Sequence, residues 1–287
     1  MPSVVTNPFG GVPALDEIVK RGWVLVATDY APNAQGVHPY IIGEGEAHSG
    51  ADSVLAARQM SELNLDSRTA VWGHSQGGHA ALSTAARGPS YAPQQLDFVG
   101  AAAIAPASNM EKIMSMHVND SAGARLGAYL ITAYSQYYPD IKFDEVVPGP
   151  VRDIARGMAD LCQFDPKDIP ALQSFTKQAS GTPIIPDPSK GALGRRLREN
   201  APTESIEIPV LIVQGTADEV VAPEVNDDYV SARCSAGQAL TYWRVPGKDH
   251  SSIVAPDSPI TGPLIDWTAD RFNSLPESHG CTTSQIG

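Results

Sequence analysis

Ser75 is the side chain in this 287-residue sequence best placed to act as a nucleophile. It stands in Gly73-His74-Ser75-Gln76-Gly77-Gly78, after a short apolar run, Thr69-Ala70-Val71-Trp72, and before a small-residue helix signal from His79 to Ala86. Gly-x-Ser-x-Gly alone is a frequent and weak pattern. Between a strand and a helix it marks a sharp turn that lifts the serine above the end of a parallel sheet. Such a turn forces strained backbone angles on the serine, and neighbours without Cβ atoms let strand and helix approach. The turn also leaves the Gln76 N–H at a helix start, where an unpaired donor and the positive dipole end can receive an oxyanion.

A serine hydroxyl is a poor nucleophile at neutral pH. It needs a base to take its proton, and the base needs a carboxylate to fix its tautomer and stabilise its cation. After such an elbow the expected chain order is serine, acid, histidine, each on a loop leaving a strand. Asp218 and His250 meet that order, each just after an apolar run and in a glycine-containing turn. Their neighbours Glu219 and Asp249 are the carboxylates that could replace Asp218 as the acid. Each residue also admits a plain structural role: Asp218 as a turn or cap residue, His250 as a surface histidine beside Asp249. The conjunction with the elbow favours chemistry. His74 and His79 flank the serine outside the base's place in the order and read as packing residues, and His38 reads as shaping its loop.

The elements that must position these groups follow from hydrophobic pattern. Trp23–Asp29, Phe98–Ala105, Pro209–Gly215 and Ala239–Val245 are near-continuous apolar runs of strand length, expected in parallel strands buried on both faces. A helix opens at Gly10-Gly11-Val12-Pro13 and stops at Gly22, a long loop covers 30–48, and helices are expected over 49–63, 223–233 and 263–272. The tail reads as irregular. Between Pro106 and Ile208 strand signals vanish, and Leu126, Tyr129, Leu130, Ala133, Tyr134 and Tyr137 repeat at helical spacing. This predicts an α/β fold with a mostly parallel sheet flanked by helices: a core of residues 1–106 and 206–287, with a helical cap inserted over 107–205.

Bulk properties narrow the partners. A net charge of −12 argues against nucleic acid and against electrostatic binding to anionic membranes. No run of 18 apolar residues spans a bilayer. The first residues carry neither the basic nor the apolar segment of a signal peptide. The three cysteines, Cys162, Cys234 and Cys281, show no metal-binding spacing, and acyl transfer through a serine requires no metal or cofactor.

Taken together, Gly22-Trp23, Ala27-Thr28-Asp29-Tyr30, His38-Pro39-Tyr40, Gly43-Glu44-Gly45-Glu46, Trp72 to Ala80 and Ser90-Tyr91-Ala92-Pro93 resemble the secretory lipase family of α/β-hydrolases. The resemblance covers nearly the whole chain. It implies a carboxylester hydrolase, esterase or lipase, secreted, with a helical cap over Ser75, Asp218 and His250 and with Gln76 in the oxyanion hole. It also implies a Cys234–Cys281 disulfide, which in the chain-entropy view stabilises by about 4 kcal/mol. Family members carry further strands upstream, one followed by a loop that supplies the second oxyanion donor and a cysteine that would pair with Cys162. In the α/β-hydrolase order the absent strand would lie between the Trp23 and Val71 strands. Its absence leaves three expectations: the Trp23 strand moves over to pair with the elbow strand, residues 1–9 fill the gap, or translation starts upstream of Met1. It also leaves an alternative function, a non-catalytic or weakly active remnant.

Overall fold

The computed structural model describes residue 9 and residues 12–163, 165–277 and 280–287. Two helices come first, α1 (Leu15–Lys20) and α2 (Gly43–Arg58), followed by strand β1 (Arg68–His74), helix α3 (Gln76–Tyr91) and strand β2 (Asp97–Ile104). Six helices then intervene: α4 (Met110–Met116), α5 (Ser121–Tyr137), α6 (Phe143–Val146), α7 (Arg152–Ala159), α8 (Ile169–Gln178) and α9 (Gly191–Glu199). The chain closes with β3 (Val210–Gly215), α10 (Pro223–Ser235), β4 (Leu240–Val245), α11 (Thr261–Phe272) and β5 (Cys281–Gln285). The five strands form one parallel sheet in the order β1-β2-β3-β4-β5.

Alternation along the central strands splits the core into two faces. Ala101, Ala103, Val210, Ile212 and Tyr242 meet Leu82 of α3 and Tyr229 and Val230 of α10. Ala102, Ile104, Leu211, Val213, Trp243 and Val245 face Leu264 and Trp267 of α11. The small residues of β2 set how close the helices come. A Cβ on Gly100 would stand 2.8 Å from Arg271 Cγ and 2.9 Å from the Trp267 ring. The helices between β2 and β3 have a core of their own, with Leu130, Ile131, Tyr134, Met158, Ile184 and Leu197 almost wholly buried. That core runs on without a break to Ile41, Ile42, Val221 and Val225.

Three expectations are corrected. Trp23–Asp29 pairs with no strand among the described residues, and Val24 and Ala27 are exposed rather than buried. An apolar run is buried as a strand only where a neighbour covers it; among the described residues β1 pairs with β2 alone, and Trp23 packs its ring on Phe272 instead. So the Trp23 segment does not move over to pair with the elbow strand. Residues 1–8, 10 and 11, expected to fill that gap or to open the first helix, lie outside the described residues.

The second correction is α2, which begins at Gly43 rather than at Ser49. Its glycines serve close approach: a Cβ on Gly45 would lie 2.8 Å from Pro39 Cβ, and one on Gly50 2.8 Å from Thr84 Oγ1 of α3. Third, the tail holds β5, an exposed and wholly polar strand that no hydrophobic alternation announces. It is held by pairing with β4 and by the disulfide between Cys234 and Cys281, while Cys162 is a free thiol. No helix among the described residues is long and apolar enough to cross a membrane.

Candidate active site

Ser75 sits between the last residue of β1 and the first of α3, with φ 58° and ψ −117°, a conformation L residues rarely adopt. The surrounding structure holds it there. Its N–H donates to the Ile104 carbonyl at 2.9 Å, and its own carbonyl accepts from His79 N–H at 3.1 Å and Ala107 N–H at 3.2 Å. Gly73 is obligatory for the turn: a Cβ there would fall 1.8 Å from the Gly77 carbonyl oxygen.

Asp218 and His250 arrive on the turns that follow β3 and β4. The two turns interlock, because Thr216 N–H donates to the Val245 carbonyl and Ala217 N–H to that of Lys248, both at 3.0 Å. A Cβ on Gly215 would stand 2.2 Å from the Lys248 carbonyl oxygen, so only glycine lets the turns meet. His250 Nδ1 lies 2.7 Å from Asp218 Oδ2, and His250 Nε2 lies 2.9 Å from Ser75 Oγ. A carboxylate accepts, so Nδ1 carries the proton and donates it. Nε2 then presents a lone pair to the serine hydroxyl. Asp218 is buried, and its Oδ1 takes the N–H groups of Val220 at 2.9 Å and Val221 at 2.8 Å.

The reserve carboxylates point elsewhere. Glu219 is exposed, and Asp249 Oδ1 accepts from the N–H groups of Ser251 and Ser252 at the start of a short 3-10 turn. His38 packs edge-on against Tyr30, with ring centroids 5.5 Å apart, within its loop. His74 lies against His250, with ring centroids 4.6 Å apart, and its Nε2 is buried without a hydrogen-bond partner among the described residues.

Burial, and then the neighbouring His250, push His74 down to about 4, so it stays neutral beside the candidate base at working pH. An unfolded His74 titrates near 6.5. Between these values the unfolded chain binds the extra proton, so stability falls as pH drops through that window. The contribution is at most about 3 kcal/mol. Melting temperatures from pH 7 to 4 should therefore fall more steeply for the parent than for His74→Phe, and parallel curves would refute this.

Two groups of supporting residues were not anticipated. Gln214, fully buried in β3, donates to Asp218 Oδ2 at 3.3 Å and to the Val221 carbonyl at 3.1 Å. Its Oε1 accepts from Asn226 Nδ2 at 2.7 Å, and Asn226 Oδ1 from the Ser108 hydroxyl at 2.6 Å. A lone glutamine inside Val-Leu-Ile-Val-Gln-Gly was the available signal. The other group is Glu46 with His79, both fully buried, whose closest atoms are 2.5 Å apart behind the elbow. Glu46 gave no such signal, because the glycines around it read as a loop.

The family model described as secretory lipase matches residues 13–280. The chain is 23% identical to Lipase 6 of Candida albicans over 282 residues, which is 92% of this chain and 58% of that protein. It is 25% identical over 278 residues to a Mycobacterium tuberculosis protein named "Probable inactive lipase MT1628", covering 89% of this chain and 56% of that one. The chain thus spans a little over half the length of the curated relatives it matches. In fold it is similar to Candida antarctica lipase A in its closed state, with TM-score 0.74, 17% identity, and coverage of 99% of this chain and 66% of that one.

Proposed function

We propose a function from one premise: this chain belongs to the secretory lipase family. It is a serine carboxylester hydrolase that works through an acyl-enzyme. The observation that carries this reading is the unbroken hydrogen-bonded line from Asp218 through His250 to Ser75, with spacings of 2.7 and 2.9 Å. Hydrogen-bond reach between nucleophile, base and orienting acid is what the chemistry needs.

His250 Nε2 takes the Ser75 proton as Oγ attacks the ester carbonyl carbon. The Gln76 N–H, first in α3 and so without a carbonyl one turn earlier, donates to the tetrahedral oxyanion. The intermediate collapses, the ester's alkoxy oxygen leaves, and His250 hands it the proton. Water then repeats the sequence on the acyl-Ser75 carbonyl, with His250 again the base, and releases the carboxylic acid. Asp218 stays ionised throughout and holds the imidazole in the productive tautomer.

The helices between β2 and β3 act as a cap over this site, since their apolar core is continuous with Ile41, Ile42, Val221 and Val225. The substrate is an acyl ester or lipid, in keeping with the names of the relatives. Secretion fits the family description and a disulfide-bonded chain. A fluorophosphonate probe followed by peptide mass mapping tests the function. Modification at Ser75, lost in His250→Ala, supports it. An unmodified Ser75 in folded protein that turns over no ester would overturn it in favour of a non-catalytic remnant.

A further inference from the structure

Behind Ser75 lies a polar chain that the acyl-transfer steps do not use. Gln76 Nε2 donates to Glu46 Oε1 at 2.8 Å, and the Ile41 N–H donates to the same oxygen at 3.1 Å. Glu46 Oε2 is 2.5 Å from His79 Nδ1, and His79 Nε2 is 2.7 Å from the carbonyl oxygen of Asn200, just after α9. Asn200 Oδ1 in turn accepts from Gly43 N–H at 3.0 Å, at the start of α2. Glu46, His79 and Asn200 are all buried.

Counting donors fixes the protons. A peptide carbonyl can only accept, so His79 Nε2 carries hydrogen. Glu46 Oε1 already receives two donors, so Oε2 meets Nδ1 across a single proton. Burial alone would lower the His79 pKa, but the Glu46 carboxylate and the Asn200 carbonyl outweigh it and hold it above the ordinary value. The pair shares one proton between Oε2 and Nδ1 in a fully buried site, an arrangement that gives little net stability over an apolar filling. Its placement is the informative feature. It grips the side chain of the one residue whose backbone N–H is the candidate oxyanion donor.

We propose that Glu46 and His79 are positioning residues for that donor: through the Gln76 side chain they fix the orientation of the Ser75–Gln76 peptide, and through Asn200 they tie that orientation to the end of the helical segment. The proposal rests on the reading of Ser75 as the nucleophile. Neither residue touches substrate. An N–H held from behind points where the oxyanion develops without having to reorganise during the reaction, and loss of the grip lets the peptide rock away from it.

Gln76→Leu is the cleanest test, because it removes the gripped amide, keeps the backbone N–H and leaves the buried Glu46–His79 pair intact. On a short p-nitrophenyl ester, kcat should fall about 10- to 10²-fold with KM changed by less than about twofold. Affinity for an alkyl boronic acid, a tetrahedral mimic, should fall by the same factor as kcat. Glu46→Leu, which removes the acceptor oxygens, should give the same split, and the double variant with Gln76→Leu should be no worse than the poorer single one, because both cut one chain. Glu46→Gln, whose amide oxygen still accepts from Gln76 Nε2 and whose amide nitrogen can donate to His79 Nδ1, should restore most of kcat. A Gln76→Leu enzyme with parental kcat and boronate affinity, from a parent that labels at Ser75 and turns over, overturns this proposal alone. A parent that neither labels nor turns over overturns the functional reading and this proposal with it.

Discussion

Ser75→Ala should lower kcat for short p-nitrophenyl esters by about 10⁶-fold, leaving the rate that binding and the oxyanion donor could sustain without a nucleophile. The size of the effect follows from the geometry. The hydroxyl is 2.9 Å from the one base that an acid orients, and no second hydroxyl shares that base among the bonds His250 makes. If Ser75, His250 and Asp218 act as the proposed unit, adding His250→Ala to Ser75→Ala should cost little more, whereas independent contributions would multiply. The alanine enzyme should melt no lower than the parent, so the loss cannot be put down to unfolding. Active-site-titrated kcat and a melting curve check both statements. A loss under tenfold in folded protein would remove Ser75 from the chemistry.

Loss of the Cys234–Cys281 bridge should have the largest effect on stability. It closes a loop of 47 residues, and in the chain-entropy account that stabilises the fold by about 4 kcal/mol. In a chain of this size the expected fall in melting temperature is about 10 °C. The bridge joins the last turn of α10 to the first residue of β5, and β5 has no buried residue to hold it otherwise. Freed of the bridge, β5 depends on its ladder with β4 and on a Thr282–Thr241 contact at 3.3 Å. Hydrogen exchange in the Cys234→Ser/Cys281→Ser protein should therefore quicken first at 281–285 and along β4, while β1 to β3 stay protected. Uniform quickening would instead mean that the sheet opens as one unit.

These expectations rest on features that were unequally legible in the amino-acid order. The elbow could be read because its demands are local: glycines where a Cβ would strike backbone, an apolar run before and small residues after. Asp218 and His250 could be read because the fold delivers them in a fixed order on turns after apolar strands. The helices of 107–205 showed through their periodicity, and Leu130, Ala133 and Tyr134 are buried as spacing predicts. Hydrophobicity misled at Trp23–Asp29, where no described strand lies alongside and no residue is fully buried, because an apolar run cannot by itself supply the neighbour that would cover it. It was silent at β5, whose five exposed residues are placed by backbone pairing and a covalent bond. Glu46 was hidden because Gly43 and Gly45 look like loop, although their task is to let α2 come close to Pro39 and α3. Long-range polar contacts, such as those from Gln76 to Glu46 and from His79 to Asn200, have no signature in spacing at all.

The backbone of Ser75 carries one last consequence. At φ 58° and ψ −117° glycine would sit more easily than serine, and held strain of this kind costs on the order of 1–3 kcal/mol. The side chain at this position is thus a burden on the polypeptide that bears it. Ser75→Gly should therefore relieve what Ser75→Ala, which keeps the Cβ, cannot, and of the two variants the glycine protein should melt higher.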